Sequence, residues 1–169
     1  MDQDRKVKET ISGDVAEDYE LLMNTMQVSV SKHILDEHFT VVWNNDFYFK
    51  MIGYDKREYV SLFHNRPDIY YPYHHYENEL QKISDTVMQS LKAGKPGYSV
   101  ISRLPVKSGG HVWVQMNGVF TKSIYNGYPI AYTVMTNVND FVKIQRAQSI
   151  TYNNIPGFVA KYLIKDYLH

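Results

Sequence analysis

The hydrophobic positions of this chain change period several times, and each change marks an element. Asp14 with Glu17 forms a capping-box pattern, and Tyr19, Leu22, Met23 and Met26 then recur on one helical face, which predicts an amphipathic helix over residues 15–25. Alternation follows. Val28, Val30 and Ile34 fall on one side of the chain and Ser29, Ser31, His33 and Leu35 on the other, up to a turn at Asp36-Glu37. That pattern predicts a strand hairpinned to a second strand over residues 39–43.

Asn45 then reads as the cap of a short helix closed by Gly53, and Asp55 with Glu58 opens another that runs to Phe63. Pro67 and Pro72 break the next stretch into turns or single helical turns. Tyr76, Leu80, Ile83, Val87 and Leu91 share one face of the longest helix, which Gly94 ends. Alternation returns at 98–104, 112–122 and 129–138, with turns at Ser108-Gly109-Gly110 and Asn126-Gly127. Two strands, several helices and three more strands predict an α+β fold built on one five-stranded antiparallel sheet.

Strand parity sorts the last hairpin. With Tyr125 opposite Tyr128, Phe120 faces Thr133 and Gly118 faces Met135, and both share a side with Met116, Val114 and Val112. Trp113, Val119, Tyr132 and Val134 take the other side.

Composition narrows the partners. A chain of 169 residues, 44% hydrophobic, suits one globular domain with appendages. Lysine and arginine number 18 against 18 aspartate and glutamate, so no net field draws nucleic acid or an anionic membrane surface, and neither is expected as a partner. The absence of cysteine excludes disulfides, thiolate metal sites, cysteine nucleophiles and cysteinyl photochemistry, and it fits a reducing, cytoplasmic setting. The charged opening from Met1 to Lys6 lacks the apolar run of a signal peptide, and no later stretch is long and apolar enough to span a bilayer.

Catalytic patterns are missing as well. No serine sits in a nucleophile elbow and no glycine-rich phosphate loop occurs, so a non-catalytic protein is expected. Isomerase chemistry would need an interior aspartate beside one of the 15 tyrosines, and no aspartate falls on an apolar face. His74 and His75, being adjacent, point to different faces and cannot chelate together, so they read as a solvated helix start, and no metal is expected.

Asn45-Asp46-Phe47 before Gly53-Tyr54, then Arg66-Pro67-Asp68, then Arg103-Leu104, Gly109 and Trp113-Val114 occur in an order that resembles the PAS family from about Met26 to Asp140. The family's closing aspartate-isoleucine-threonine stands here as Asn137-Val138-Asn139. The resemblance implies strand order 2-1-5-4-3, with helices across one face of the sheet and the N-terminal helix on the other. It also turns the Val114, Met116 and Met135 side inward. In the flavin-binding branch, asparagine and glutamine grip the flavin where Leu104, Val114 and Met135 stand here, and the reactive cysteine is lacking. Haem-binding relatives use a helical histidine, for which His74 or His75 would be the position. No cofactor is therefore expected.

The inward side carries Ser29, Ser31, His33, Ser102 and Thr133 beside Met116 and Met135, which is polar for a core. Two readings stay open. These groups bond to one another, to backbone or to buried water. Alternatively, they line a small-molecule site with His33 as its most distinctive contact and the methionines as adaptable walls. His33, titrating near neutrality when exposed, would also serve a pH sensor.

The expected organisation is a tail and amphipathic helix at 1–25, a PAS domain at 26–139, an output linker helix at 140–151 and the start of a second PAS-like unit at 152–169. That last segment echoes residues 23–32, with an asparagine, a valine and a lysine coinciding. The resemblance implies a sensory and dimerisation module of a larger signalling protein. Its output domain, C-terminal to this chain, would be a histidine kinase or a cyclic-di-GMP cyclase or phosphodiesterase. A homodimer is expected through the N-terminal helix and the outer sheet face, where one short helix cannot hide so much apolar surface. The rival reading is a structural dimerisation unit with a filled core and no ligand.

Overall fold

Two residues with positive φ, Asn126 at 49° and Gly127 at 85°, make a two-residue turn that joins the two longest strands among the described residues. The computed structural model describes residues 21–23 and 25–154, which fall into two units, Met1–Asn137 and Val138–His169. In the first unit, β1 (Ser29–Ile34) and β2 (Val41–Asn44) precede four helices: α1 (Asp46–Ile52), α2 (Lys56–Phe63), α3 (Pro67–Tyr73) and α4 (Glu77–Lys92). Strands β3 (Gly97–Pro105), β4 (His111–Tyr125) and β5 (Tyr128–Asn137) complete a single antiparallel sheet in the order β2-β1-β5-β4-β3. The second unit holds α5 (Asn139–Asn154), which runs into the stretch expected to open a further domain. Residues 155–169 and most of the expected 15–25 helix lie outside the described residues, although 21–23 and 25 are helical. No helix among the described residues is long and apolar enough to cross a membrane.

Local chemistry differs from expectation at several joints. The strand expected at 39–43 is β2, two residues further on, because Asp36 extends the turn. Its carboxylate accepts from the backbone N–H of His38 and Thr40 at 3.1 and 2.9 Å and from the Thr40 hydroxyl at 2.7 Å. Asn45 stands at the N-cap of α1, but its side chain is used elsewhere. It accepts from Val30 N at 3.0 Å and donates to Val28 O at 2.9 Å, pinning the start of β1. Asp55 does cap α2, accepting from the amides of Arg57 and Glu58. Pro67 and Pro72 fit within one short helix, Pro67 at its start where no amide partner is needed.

The inner face of the sheet and the helices share one core, with Ile52, Tyr59, Phe63 and Tyr70 fully buried. Tyr48, Tyr54, Tyr59, Phe63 and Tyr70 pack edge-to-face or tilted at centroid distances of 5.0 to 6.1 Å. Such aromatic pairs add about 0.5–1.5 kcal/mol each beyond area burial. His74 belongs to this cluster rather than to a solvated helix start. It caps α3, its ring lies 4.9 Å from Tyr70, and its Nε2 bonds the Tyr54 hydroxyl at 3.0 Å.

The register of β4 against β5 also needs correction. Gly118 faces Thr133 and Met116 faces Met135, two residues away from the expected pairing, because β4 carries an irregularity between Phe120 and Ile124. A shift of two leaves the faces intact. Val114, Met116, Ala131, Thr133 and Met135 are buried, while Val119, Tyr132 and Val134 are exposed.

Candidate functional site

Where β1, β5 and β4 meet the helices, the core stays open around a cavity of about 60 Å³. Strand alternation supplies its floor. Ser31 and His33 come from β1, Met116 from β4, and Thr133 and Met135 from β5. Asn44 of β2, paired with Ser31, closes one side, and Tyr71 of α3, Leu80 and Ile83 of α4 and Tyr98 of β3 line the rest. No aspartate, glutamate, lysine or arginine reaches the lining.

Most polar groups here answer one another. His33 Nδ1 lies 3.2 Å from the Phe39 carbonyl, which can only accept, so Nδ1 carries the proton. Nε2 is then the acceptor for the Ser31 hydroxyl at 2.7 Å. Burial lowers the His33 pKa below 6.5, outweighing the Phe39 hydrogen bond, and favours this neutral ring. Tyr98 and Thr133 share a hydroxyl–hydroxyl bond of 2.7 Å. Asn44 and Tyr71 differ. Both residues are largely buried and line the cavity with no side-chain hydrogen bond to a described residue, yet their polar atoms are not sealed off, since Ser29 Oγ alone among the described residues is a fully buried side-chain polar atom without a partner. Burial holds the Tyr71 hydroxyl far above its ordinary pKa, so it remains a donor.

Of the residues expected at a ligand site, Ser31, His33, Met116, Thr133 and Met135 come together around this cavity. Ser29 and Ser102 are fully buried on the same face but do not line it. Ser102 donates to Glu79 Oε2 at 2.7 Å, and the same carboxylate takes Arg103 N at 3.0 Å and Arg103 Nε at 2.7 Å. Ser29 Oγ has no partner among the described residues.

Strand order and helix placement can be set against known structures. The chain aligns with a sensory box histidine kinase/response regulator from Burkholderia thailandensis at 13% identity and a TM-score of 0.58, covering 81% of this chain and 96% of that one. It aligns with the PAS domain of a protein from Colwellia psychrerythraea at 12% identity and a TM-score of 0.55, covering 75% and 99%. The PAS domain of the fruit-fly ELK potassium channel matches at 9% identity and a TM-score of 0.50, covering 74% and 98%. The chain has the PAS fold. No family model and no curated protein matches the sequence.

Within this PAS fold the cavity lies on the inner face of the sheet, and Leu104, Val114 and Met135 are all buried on that face. Asn44 and Tyr71 were not among the expected contacts. Asn44 follows from the alternation of β2 once Ser31 is its partner, and Tyr71 sits in the tyrosine run that composition already sets apart.

Proposed function

We propose that the chain is a non-catalytic sensory and dimerisation module of a larger signalling protein, responding to a small molecule held in the cavity between sheet and helices. The observation that carries this reading is the open core itself, with Asn44 and Tyr71 presenting polar groups that no described side chain answers. A ligand that favours one geometry of the sheet shifts the populations of a linked output domain by its differential affinity.

Helix α5 follows β5 directly in the chain and supports an output domain C-terminal to it. The likeness to a sensory box histidine kinase/response regulator supports a histidine kinase there, and a cyclic-di-GMP enzyme is the alternative that the sequence resemblance implies. The composition fits a cytoplasmic setting. Trp43, Val119, Tyr132 and Val134 on the outer sheet face are exposed, as are Leu21, Leu22 and Met26, which supports a homodimer through that face and the segment before β1.

A second reading, a structural dimerisation unit without ligand, is favoured by the cavity's size. About 60 Å³ is well below the roughly 300–1,000 Å³ of common small-molecule sites. Native mass spectrometry of the intact chain separates the two. A retained small molecule supports sensing, and a bare dimer to which added small molecules also fail to bind supports the structural unit. A monomer at about 100 μM by sedimentation removes the dimer from both.

A further inference from the structure

We infer that the cavity selects an uncharged molecule of a few heavy atoms carrying one hydroxyl, carbonyl or amide group, held by Asn44 and Tyr71. This inference rests on the sensory reading above and names its ligand class.

Three features of the lining converge on that class. The first is charge. None of the lining residues is acidic or basic apart from His33, whose Nδ1 donates to Phe39 O and whose Nε2 accepts from Ser31. An anion or cation would be buried there with no countercharge, which is strongly unfavourable. The second is size. A cavity of roughly 150 Å³ holds benzene, so about 60 Å³ admits a molecule of only a few heavy atoms unless a wall moves. The third is the pattern of satisfied and unsatisfied groups. Ser31 with His33, and Tyr98 with Thr133, complete each other at 2.7 Å, leaving Asn44 and Tyr71 to meet a polar group on the guest. The rest of the wall, including Leu104, Met116 and Met135, is apolar and suits a short hydrocarbon remainder.

The test titrates the full chain with five probes: acetone, acetamide, acetate and xenon, which are small and differ in character, and the larger indole. Methyl resonances of Met116 and Met135 and the side-chain amide of Asn44 report occupancy by NMR. Acetone and acetamide are expected to saturate, with affinity no tighter than the order of tens of micromolar, the ceiling for so few atoms. Acetate should bind at least about tenfold more weakly. Tyr71→Phe, which keeps the ring, and Asn44→Leu should each weaken acetamide by about tenfold.

Acetate binding as well as acetamide would overturn the assignment of charge, and saturation by xenon alone would overturn the polar contact. Indole binding more tightly than acetone would overturn the size limit. Unchanged binding in both variants would overturn the roles of Asn44 and Tyr71. In all four cases a small-molecule sensor survives with a different ligand class. Saturation by none of these probes overturns the ligand reading as well, and leaves a hydrated or closed core.

Discussion

Tyr98 of β3 reaches over Gly118 of β4 to bond Thr133 of β5, hydroxyl to hydroxyl at 2.7 Å. Gly118 is the cross-strand partner of both residues, and a Cβ built on it would lie 2.0 Å from Cε1 of the tyrosine ring. The missing side chain is what lets the ring lie across the middle strand. Tyr98 also lines both the inner cavity and an open groove beside Thr86, Ser90, Pro96 and Val119, so its ring is the wall between them.

Gly118→Ala should therefore displace Tyr98 and break its bond to Thr133. The expected loss is about 1–3 kcal/mol, as for other overpacked sites, read from urea denaturation. The same substitution made in a Tyr98→Ala background should cost much less, giving a coupling energy of roughly 0.5–3 kcal/mol. Additive losses would mean that the ring does not occupy the space over Gly118.

Glu79 of α4 ties that helix to β3. Burial alone would raise its carboxyl, but hydrogen bonds from Arg103 N, Ser102 and the Arg103 guanidinium outweigh it and hold the pKa below 4.5. A carboxylate with a depressed folded pKa stabilises the fold above its unfolded pKa, and that contribution fades as pH falls through the folded value. Glu79→Gln should cost about 1–3 kcal/mol near neutral pH. Denaturation midpoints of variant and wild type should draw together in acid, and a constant gap would refute the charge-based account.

Histidine titration runs the same way at milder pH. Burial lowers the folded pKa of both His33 and His74 below 6.5, and His75 adds to the effect at His74. The unfolded chain therefore takes up these protons first as pH falls, and stability should drop between about pH 7 and the folded pKa values. Melting temperatures recorded down that range should fall, with a shallower slope in His33→Gln and shallower still with His74→Gln added. An unchanged slope in the double variant would sink the assignment.

Ser29 and Ser102 are both fully buried serines on the inner sheet face, with opposite expected responses. Ser29 Oγ lacks a partner, so Ser29→Ala removes an unanswered hydroxyl and should be neutral or stabilising by up to about 1 kcal/mol. Ser102→Ala takes a donor from the buried Glu79 carboxylate and should destabilise by about 1–3 kcal/mol. Equal losses at both sites in thermal unfolding would show that hydroxyl pairing does not govern either one.

Strand faces were legible in the sequence because side chains alternate with a period of two, and that rule survives any even shift in register. Alternation put Ser31, His33, Thr133, Met116 and Met135 on one side, the family resemblance turned that side inward, and all five line the cavity. Asn44 was lost because the second strand was expected to end at residue 43, before the Asn45 cap, whereas β2 runs through Asn44. Glu79 was lost for a different reason. A glutamate on a helix is ordinarily solvated, and only the tertiary fold brings Arg103 and Ser102 against it. His74 misled in the same way, since its aromatic neighbours come from other helices as well as its own. The cavity has no sequence signature, because volume depends on how neighbouring elements meet.

The irregularity in β4 is even in count. Between matched pairs, β4 advances from Phe120 to Ile124 while β5 retreats only from Ala131 to Pro129. The two strands differ there by an even number of residues, so the hairpin beyond keeps the same sense of inside and outside as the sheet before it. Its tip is thereby editable in pairs. Lineages could lengthen or trim this arm two residues at a time without exchanging buried for exposed positions. A single inserted residue would turn one strand of the arm inside out, exchanging the faces of Ile124 and Tyr125, while Ala131, paired with Phe120 before the irregularity, keeps its place.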